Sequence, residues 1–328
     1  MSKILKSFFC DRAMTKPDTT NAEVNQPAPP WAAEQVVSRE LAQALVDRQF
    51  PQLKPAVVEP LGIGWDNTAY RINRDYVFRL PRRQIAVDLI VAEGRLLPWV
   101  APQLPVAVPV PIFFGRPDER FSWPFLGYQY LSGQTACTQA LDDDQRRRLA
   151  PQIGRFLAAL HAVSVDDAAA RGAAPDPIHR LDIAGRTPKI LDRLEQLARA
   201  GLLADVRPLQ RAVKASASIP ISNSRSLVHG DFYVRHLLVD DAGQLTGVID
   251  WGDIHIGHRA VDLMVAHGFL PPASHDAFHQ AYGPIDEATW ELARFRALDH
   301  ATTVAVFAHG TGQGDLLVEA LTALARVA

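Results

Sequence analysis

Residues 226–253 read SLVHGDFYVRHLLVDDAGQLTGVIDWGD. They place His229, Asp231 and His236 within one short loop and bring in Asp250 and Asp253 after the next apolar run. The runs HLLVDD and GVIDW are rich in β-branched and aliphatic residues and flank Ala242-Gly243, which predicts two short strands joined by a turn. Such a hairpin, with a loop in front of it, sets Asp231 and Asp250 at the open ends of its strands. Oxygen ligands gathered there suit a hard cation such as Mg2+, with a third carboxylate or an imidazole completing the set. In phosphoryl chemistry one aspartate faces the acceptor hydroxyl and another the metal. Taken alone, His229-Gly230-Asp231 is equally a common turn in which the Asp accepts from nearby backbone.

Toward the N-terminus, Trp31 to Phe50 carries Val37, Leu41, Ala44 and Leu45 at helical spacing and stops before Pro51, predicting an amphipathic helix. VVEPLGIGWDNTAYRIN (57–73) and DYVFRLP (75–81) predict strands that turn at Asn73-Arg74-Asp75. Gln84 to Leu97 puts Ile85, Leu89, Ala92 and Leu96 on one helical face with Glu93 at its edge, and Pro98 closes it. PVPIFFG and FLGYQYLSG are further strands, so residues 57–131 read as a small antiparallel sheet carrying one helix. Gly62, Gly64 and Asn67 fall in its first hairpin. Backbone N–H groups of such a segment can cover phosphates while Arg79 reaches the phosphate oxygens and Glu93 orients it. Each residue also has a plainer reading: a bend, a solvent-facing arginine beside Arg82 and Arg83, a solvated helix edge.

Beyond Gly133 the chain turns helical, over Asp142 to His161, Pro188 to Ala200 and most of 261–328, with only the two short strands of the hairpin between. This is an α+β chain. His255, His258 and His267 are tied to no metal spacing and read as surface or helix-end residues.

The chain has 328 residues, 48% of them hydrophobic, enough for a substantial core in two lobes. Its net charge of −2 gives no basic footprint for nucleic acid, so a small-molecule partner is expected. Cys10 and Cys137 form no disulfide or metal spacing, which fits a reducing compartment, the cytoplasm. The N-terminal apolar patch is too short to span a membrane and lacks a secretory cleavage site. Residues 15–30 are rich in Pro, Thr and Asn without periodicity, so 1–30 reads as a disordered tail, with Met14 a second candidate start.

The order of parts from about Val57 onward resembles the aminoglycoside and macrolide phosphotransferases, antibiotic kinases of the bilobal protein-kinase-like fold. His229, Gly230, Asp231 and His236 resemble that family's catalytic loop, His-Gly-Asp with Asn or His five residues after the Asp. Asp250 resembles its metal-binding Asp in Ile-Asp-Trp, and Arg79 with Glu93 resembles its phosphate-binding basic residue and partner. The resemblance implies that Asp231 is the catalytic base or orients the hydroxyl, and that His236 and Asp250 hold Mg2+. It further implies that Gly62, Gly64, Asn67, Arg79 and Glu93 serve the nucleotide, and that Tyr130 and Leu131 form a hinge whose backbone reads the base of GTP or ATP. The division implied is a nucleotide-binding lobe at 31–131 and a helical lobe at 132–328 holding the catalytic loop and substrate pocket.

Three positions depart from the pattern. His236 resembles the macrolide branch, which often prefers GTP. Arg79 stands for the usual Lys, and the two are not interchangeable at a bidentate site. Gly257-His258-Arg259 replaces the usual Gly-Asp-Pro, whereas Asp262 matches a structural position. The expected activity is transfer of a γ-phosphate to a hydroxyl of a small molecule. A macrolide is favoured over an aminoglycoside because ARFRALDHATTVAVFAHG (293–310) is apolar where a polycation would need carboxylates. A metabolite hydroxyl, a metal-dependent phosphohydrolase and a silent nucleotide-binding module are the alternatives.

Overall fold

A computed structural model describes residues 32–328; the tail expected over 1–30, the second start at Met14 and Cys10 lie outside the described residues. α1 (Arg39–Gln49) starts later than its expected beginning at Trp31, because Ser38 Oγ accepts the Leu41 N–H at 3.1 Å and caps it. Next come β1 (Val58–Ile63), β2 (Asn67–Ile72), β3 (Tyr76–Pro81), α2 (Ile85–Val100), β4 (Pro111–Gly115) and β5 (Phe125–Gln129). The five strands pair antiparallel in the order β1-β2-β3-β5-β4. Asn73 and Arg74, at φ 49° and 67°, reverse the chain between β2 and β3 where the turn is expected. Phe50 and Phe78 pack on Phe113 at ring separations of 5.1 and 5.4 Å, and these aromatic faces bind α1 to the sheet.

α2 runs through Pro98 instead of closing before it. A proline inside a helix costs about 3 kcal/mol. Leu96, Leu97 and Val100 are all fully buried on this last turn, and each contributes about 1.5–3 kcal/mol, so burial wins over the local rule.

The helical part comprises β6 (Gln134–Thr135), α3 (Asp143–His161), α4 (Val165–Ala170), α5 (Ile183–Arg199), α6 (Arg207–Ala215), β7 (Ser226–Val228), β8 (Leu237–Val239), β9 (Leu245–Val248), β10 (His255–Gly257), α7 (Ala260–Gly268), α8 (His275–Tyr282), α9 (Glu287–Thr311) and α10 (Gly314–Val327). The expectation of only two strands here needs correction. β8 and β9 form the hairpin, extended by β6, while β7 pairs antiparallel with β10 and brackets the loop between them. Strands of three buried residues show no alternation, which is why the sequence hides them. Similarly α5 begins at Ile183, five residues before Pro188, with Asp182 accepting the Gly185 N–H at its start. Ala33–Ala328 packs as one compact unit. No helix among the described residues is long and apolar enough to cross a membrane.

His255, His258 and His267 are not surface residues; they are 2%, 8% and 8% exposed. His267 lies on Trp290 at 4.2 Å between ring centres and its Nε2–H donates to the Trp290 carbonyl at 3.1 Å. Burial first, then the neighbouring His275, pushes its pKa down to about 3. The folded pKa lies below the ordinary value, so the unfolded chain takes up a proton that the folded chain refuses. Stability from this group is complete above about pH 6.5 and is lost as pH falls toward 3. Urea unfolding should show a loss of about 1 kcal/mol from this group between pH 6.5 and 5.5, and His267→Phe should flatten that slope. An identical slope in the variant would show that His267 is not the titrating group.

Candidate active site

The loop ahead of β8 is held by its surroundings. Asp262 on α7 accepts the His229 and Gly230 N–H groups at 2.7 and 2.9 Å, and His161 Nε2 approaches its carboxylate at 3.2 Å. Gly230 sits at φ 89°, and a Cβ there would lie 2.3 Å from the Asp253 carbonyl, so only glycine fits. His229 donates from Nε2 to the Ile249 carbonyl at 3.0 Å, tying the loop to the end of β9. In the departing Gly257-His258-Arg259 segment, His258 Nδ1 accepts the Ala260 N–H at 3.2 Å and Nε2 meets Ser222 Oγ at 3.1 Å. An imidazole thereby supports the start of α7.

Asp231, His236, Asp250, Arg79 and Glu93 come together from three separate stretches. His236 Nδ1 lies 2.8 Å from the Asp231 carbonyl, which requires an Nδ1–H, and its Nε2 lies 3.3 Å from Asp250 Oδ2. Asp250, at φ 63°, also receives Arg79 Nη2 at 2.5 Å. Arg79 Nη1 reaches both oxygens of Glu93 at 3.0 and 2.8 Å, and Tyr128 donates its hydroxyl to Glu93 at 2.7 Å. Glu93 is completely buried, not a solvated helix edge. Burial raises its pKa against the pull of Arg79. For Asp250, burial is outweighed by Arg79 and His236, which hold its carboxyl below the usual range.

These residues fit a divalent cation. With Nδ1 protonated, the Nε2 lone pair of a neutral His236 would face a carboxylate oxygen, an arrangement that only a proton or a cation makes attractive. Burial opposes charge on His236, but Asp250 and Asp231 outweigh it and raise its pKa. Among the described residues no group of three or more His, Cys, Asp or Glu could hold a metal by itself. Mg2+ commonly takes one or two protein ligands and completes its shell with phosphate and water.

One residue that sequence reasoning missed sits on the other side of Asp231. His300, on α9, lies with Nε2 3.0 Å from Asp231 Oδ1 and stacks edgewise on Tyr233 at 4.4 Å. Burial would raise the Asp231 pKa, yet the His300 hydrogen bond and the nearby His236 hold it below the carboxylate range. Nothing local marks His300, since Leu298-Asp299-His300 lies mid-helix and sixty-nine residues from its partner. Asp253, the other acid of the opening stretch, pairs with Arg180, whose Nε also donates to the Gly230 carbonyl at 3.0 Å.

Gly62 and Gly64 lie at the β1–β2 tip, where the Gly64 N–H donates to the Asn67 carbonyl at 2.9 Å. Arg82 and Arg83 fasten this tip through the Gly64 carbonyl at 2.9 Å and Asp66 at 2.8 Å, whereas Arg79, for which a solvent-facing position is the plainer reading of the sequence, has a side chain only 12% exposed. Asn67 Oδ1 is buried without a hydrogen-bond partner. Trp65 rests on Phe307 of α9 at 5.2 Å. Tyr130 and Leu131 follow β5, but the Tyr130 N–H donates to the Asp75 carbonyl at 2.7 Å. That bond extends the β3–β5 ladder and narrows the expected nucleobase-reading edge to the Tyr130 carbonyl and Leu131.

A family model described as the phosphotransferase enzyme family matches residues 57–298. The uncharacterized protein YcbJ of Bacillus subtilis (strain 168) is 28% identical over 206 residues, 58% of this chain and 61% of that protein. The chain thus spans under two thirds of that relative. Among solved structures, the GDP complex of an aminoglycoside 2'-phosphotransferase is similar at TM-score 0.67 and 23% identity, over 88% of this chain and 98% of its own. The apoenzyme of a macrolide 2'-phosphotransferase from Brachybacterium faecium is similar at TM-score 0.56 and 25% identity, over 87% and 97%. A small antiparallel sheet followed by a mostly helical region is the bilobal protein-kinase-like architecture of these neighbours. Both the match over most of its length and the shared architecture lead to one conclusion: this chain belongs to the phosphotransferase enzyme family.

Proposed function

We propose that this chain is a small-molecule kinase that moves the γ-phosphoryl group of GTP or ATP to a hydroxyl, with residues 31–131 serving the nucleotide and 132–328 the catalysis and the acceptor. The observation that carries this reading is the convergence on Asp250: Arg79 at 2.5 Å from the sheet and His236 at 3.3 Å from the loop, with His236 bonded in turn to the Asp231 carbonyl at 2.8 Å. Asp231, kept ionised and aimed by His300, receives the acceptor hydroxyl. A weakly basic carboxylate suits a loose transition state in which positioning matters more than early proton removal. The hydroxyl oxygen bonds to the γ-phosphorus, the bond to the bridging oxygen breaks, and the proton passes to Asp231. Arg79, oriented by Glu93, and the backbone of Gly62 and Gly64 hold the donor phosphates. Mg2+ bound by Asp250 and His236 would neutralise charge on the phosphate oxygens. A phosphohydrolase reading leaves the Arg79–Glu93 pair without work.

Acids close to the loop are already paired with arginine, which argues against a polycation: Asp299 with Arg186, Arg193 and Arg296, and Asp176 and Asp253 with Arg180. The apolar run at 293–310 lines an apolar cavity with Ala297, Ala301 and Val304 beside His300, but Phe295, Leu298 and Ala305 are core residues at no more than 1% exposure. His236 is what still speaks for a macrolide. After incubation with Mg2+, GTP or ATP, and either erythromycin or kanamycin, mass spectrometry should find kanamycin unmodified. Phosphorylation of kanamycin alone would defeat this ordering while leaving the kinase reading intact.

A further inference from the structure

Asp299 on α9 is fully buried and receives three guanidinium groups. Arg186 and Arg193 of α5 reach it at 2.8 and 3.0 Å, and Arg296 reaches it from one turn earlier in α9 at 2.8 Å. One carboxylate faces three cations. Arg186 spends its remaining donors on the His179 and Ile178 carbonyls, and Arg193 Nη1 also meets Thr302 Oγ1. Arg296 differs: it is 6% exposed, and its Nε is buried with no hydrogen-bond partner. Leaving a charged donor unmet in the interior is costly, and such a group has a use when something else supplies the acceptor.

The place of Arg296 says what that something is. It precedes His300 by four residues, so both share one face of α9, and His300 is bonded to Asp231. Burial lowers the Arg296 pKa, and of the carboxylates that oppose this Asp299 comes first and Asp231 after it. The other acids on this side are already committed: Asp176 and Asp253 both pair with Arg180. A guanidinium fork recognises carboxylates and phosphates with two parallel bonds.

We propose that the acceptor is a small hydroxylated anion whose carboxylate or phosphate is received by Arg296, beside the point where its hydroxyl meets Asp231. This rests on the kinase reading. The transfer is that described above: the acceptor oxygen bonds to the γ-phosphorus, the nucleoside diphosphate leaves, and the hydroxyl proton goes to Asp231, while the anionic group takes no part beyond orientation.

The test uses the full chain saturated with Mg2+ and a non-hydrolysable analogue of whichever purine triphosphate binds, so that the donor phosphate positions are filled. Calorimetric titration then compares glycerate with glycerol, and glucose 1-phosphate with glucose. At least one anion should bind about ten- to a hundredfold more tightly than its neutral counterpart, the range of charge-assisted hydrogen bonds. The two arms tell a carboxylate from a phosphate requirement. Arg296→Met should erase the preference without altering affinity for the analogue, and Arg186 and Arg193 still hold Asp299 in that variant. Should it fail to fold, Arg296→Lys, which keeps the charge and loses the fork, should weaken the anion several-fold. Equal binding of anion and neutral probe, or a preference that survives the Arg296 variants, overturns the proposal. If no purine triphosphate analogue binds at all, the kinase reading falls with it; if one binds and the anion preference is absent, only the anionic acceptor falls.

Discussion

Asp231→Ala is expected to lower phosphoryl transfer by about a hundredfold or more, the scale of a lost general base or hydroxyl-positioning group. Affinity for GTP or ATP should stay close to that of the parent, because the side chain faces α9 through His300 and not the five-stranded sheet proposed to serve the nucleotide. The fold should survive. The loop is fastened by Asp262 to the His229 and Gly230 N–H groups and by Arg180 to the Gly230 carbonyl, none of which uses the Asp231 side chain. Steady-state turnover of a phosphorylated acceptor, paired with nucleotide calorimetry, separates the two quantities. A folded variant with parental turnover would remove Asp231 from the mechanism.

Asp250→Asn is the second large effect, and its signature is a joint one. Asp250 is the point where Arg79 and His236 meet, so removing its charge strips an ionised oxygen from the proposed hard-cation site and a counter-ion from Arg79. Asparagine is the right replacement because it tolerates the left-handed backbone at φ 63° that most residues resist. Nucleotide titrations with and without Mg2+ should show the metal-dependent gain in affinity shrinking together with turnover. If metal-dependent affinity were unchanged, Asp250 would not be the metal ligand, and the pairing of HGD loop and hairpin would have to be reconsidered.

How legible the site was depended on how far its contacts reach along the chain. Arg79 and Glu93 are fourteen residues apart, in a strand and the helix after it, and their pairing could be anticipated from order and residue type. The Tyr128 hydroxyl that completes the buried Glu93 shell could not, because it arrives from the next strand but one. Pro98 and Pro188 misled in the same way: a local rule about proline was overridden by burial that only the assembled core supplies. The three histidines read as surface or helix-end residues are another case: His267 does lie in the last turn of α7, but all three are buried, since a neutral imidazole on an aromatic or backbone partner packs inside at little cost.

By itself the sequence determined the small antiparallel sheet, the helical remainder, and the stretch that would carry Asp231, His236 and Asp250, because alternation, turn residues and motif spacing are local properties. Only the tertiary structure decided which groups face Asp231 from the other side. His300 and Arg296 are ordinary interior positions of a 25-residue helix, and nothing in their neighbours distinguishes them from Arg294 or His309. What singles them out is the packing of α9 against α5 and the loop at 229–236, which gathers three arginines around the buried Asp299 and leaves one donor of Arg296 unmet. Charge in water is cheap and carries little information, whereas charge excluded from water must be answered by a partner. That requirement arises only once the chain has folded.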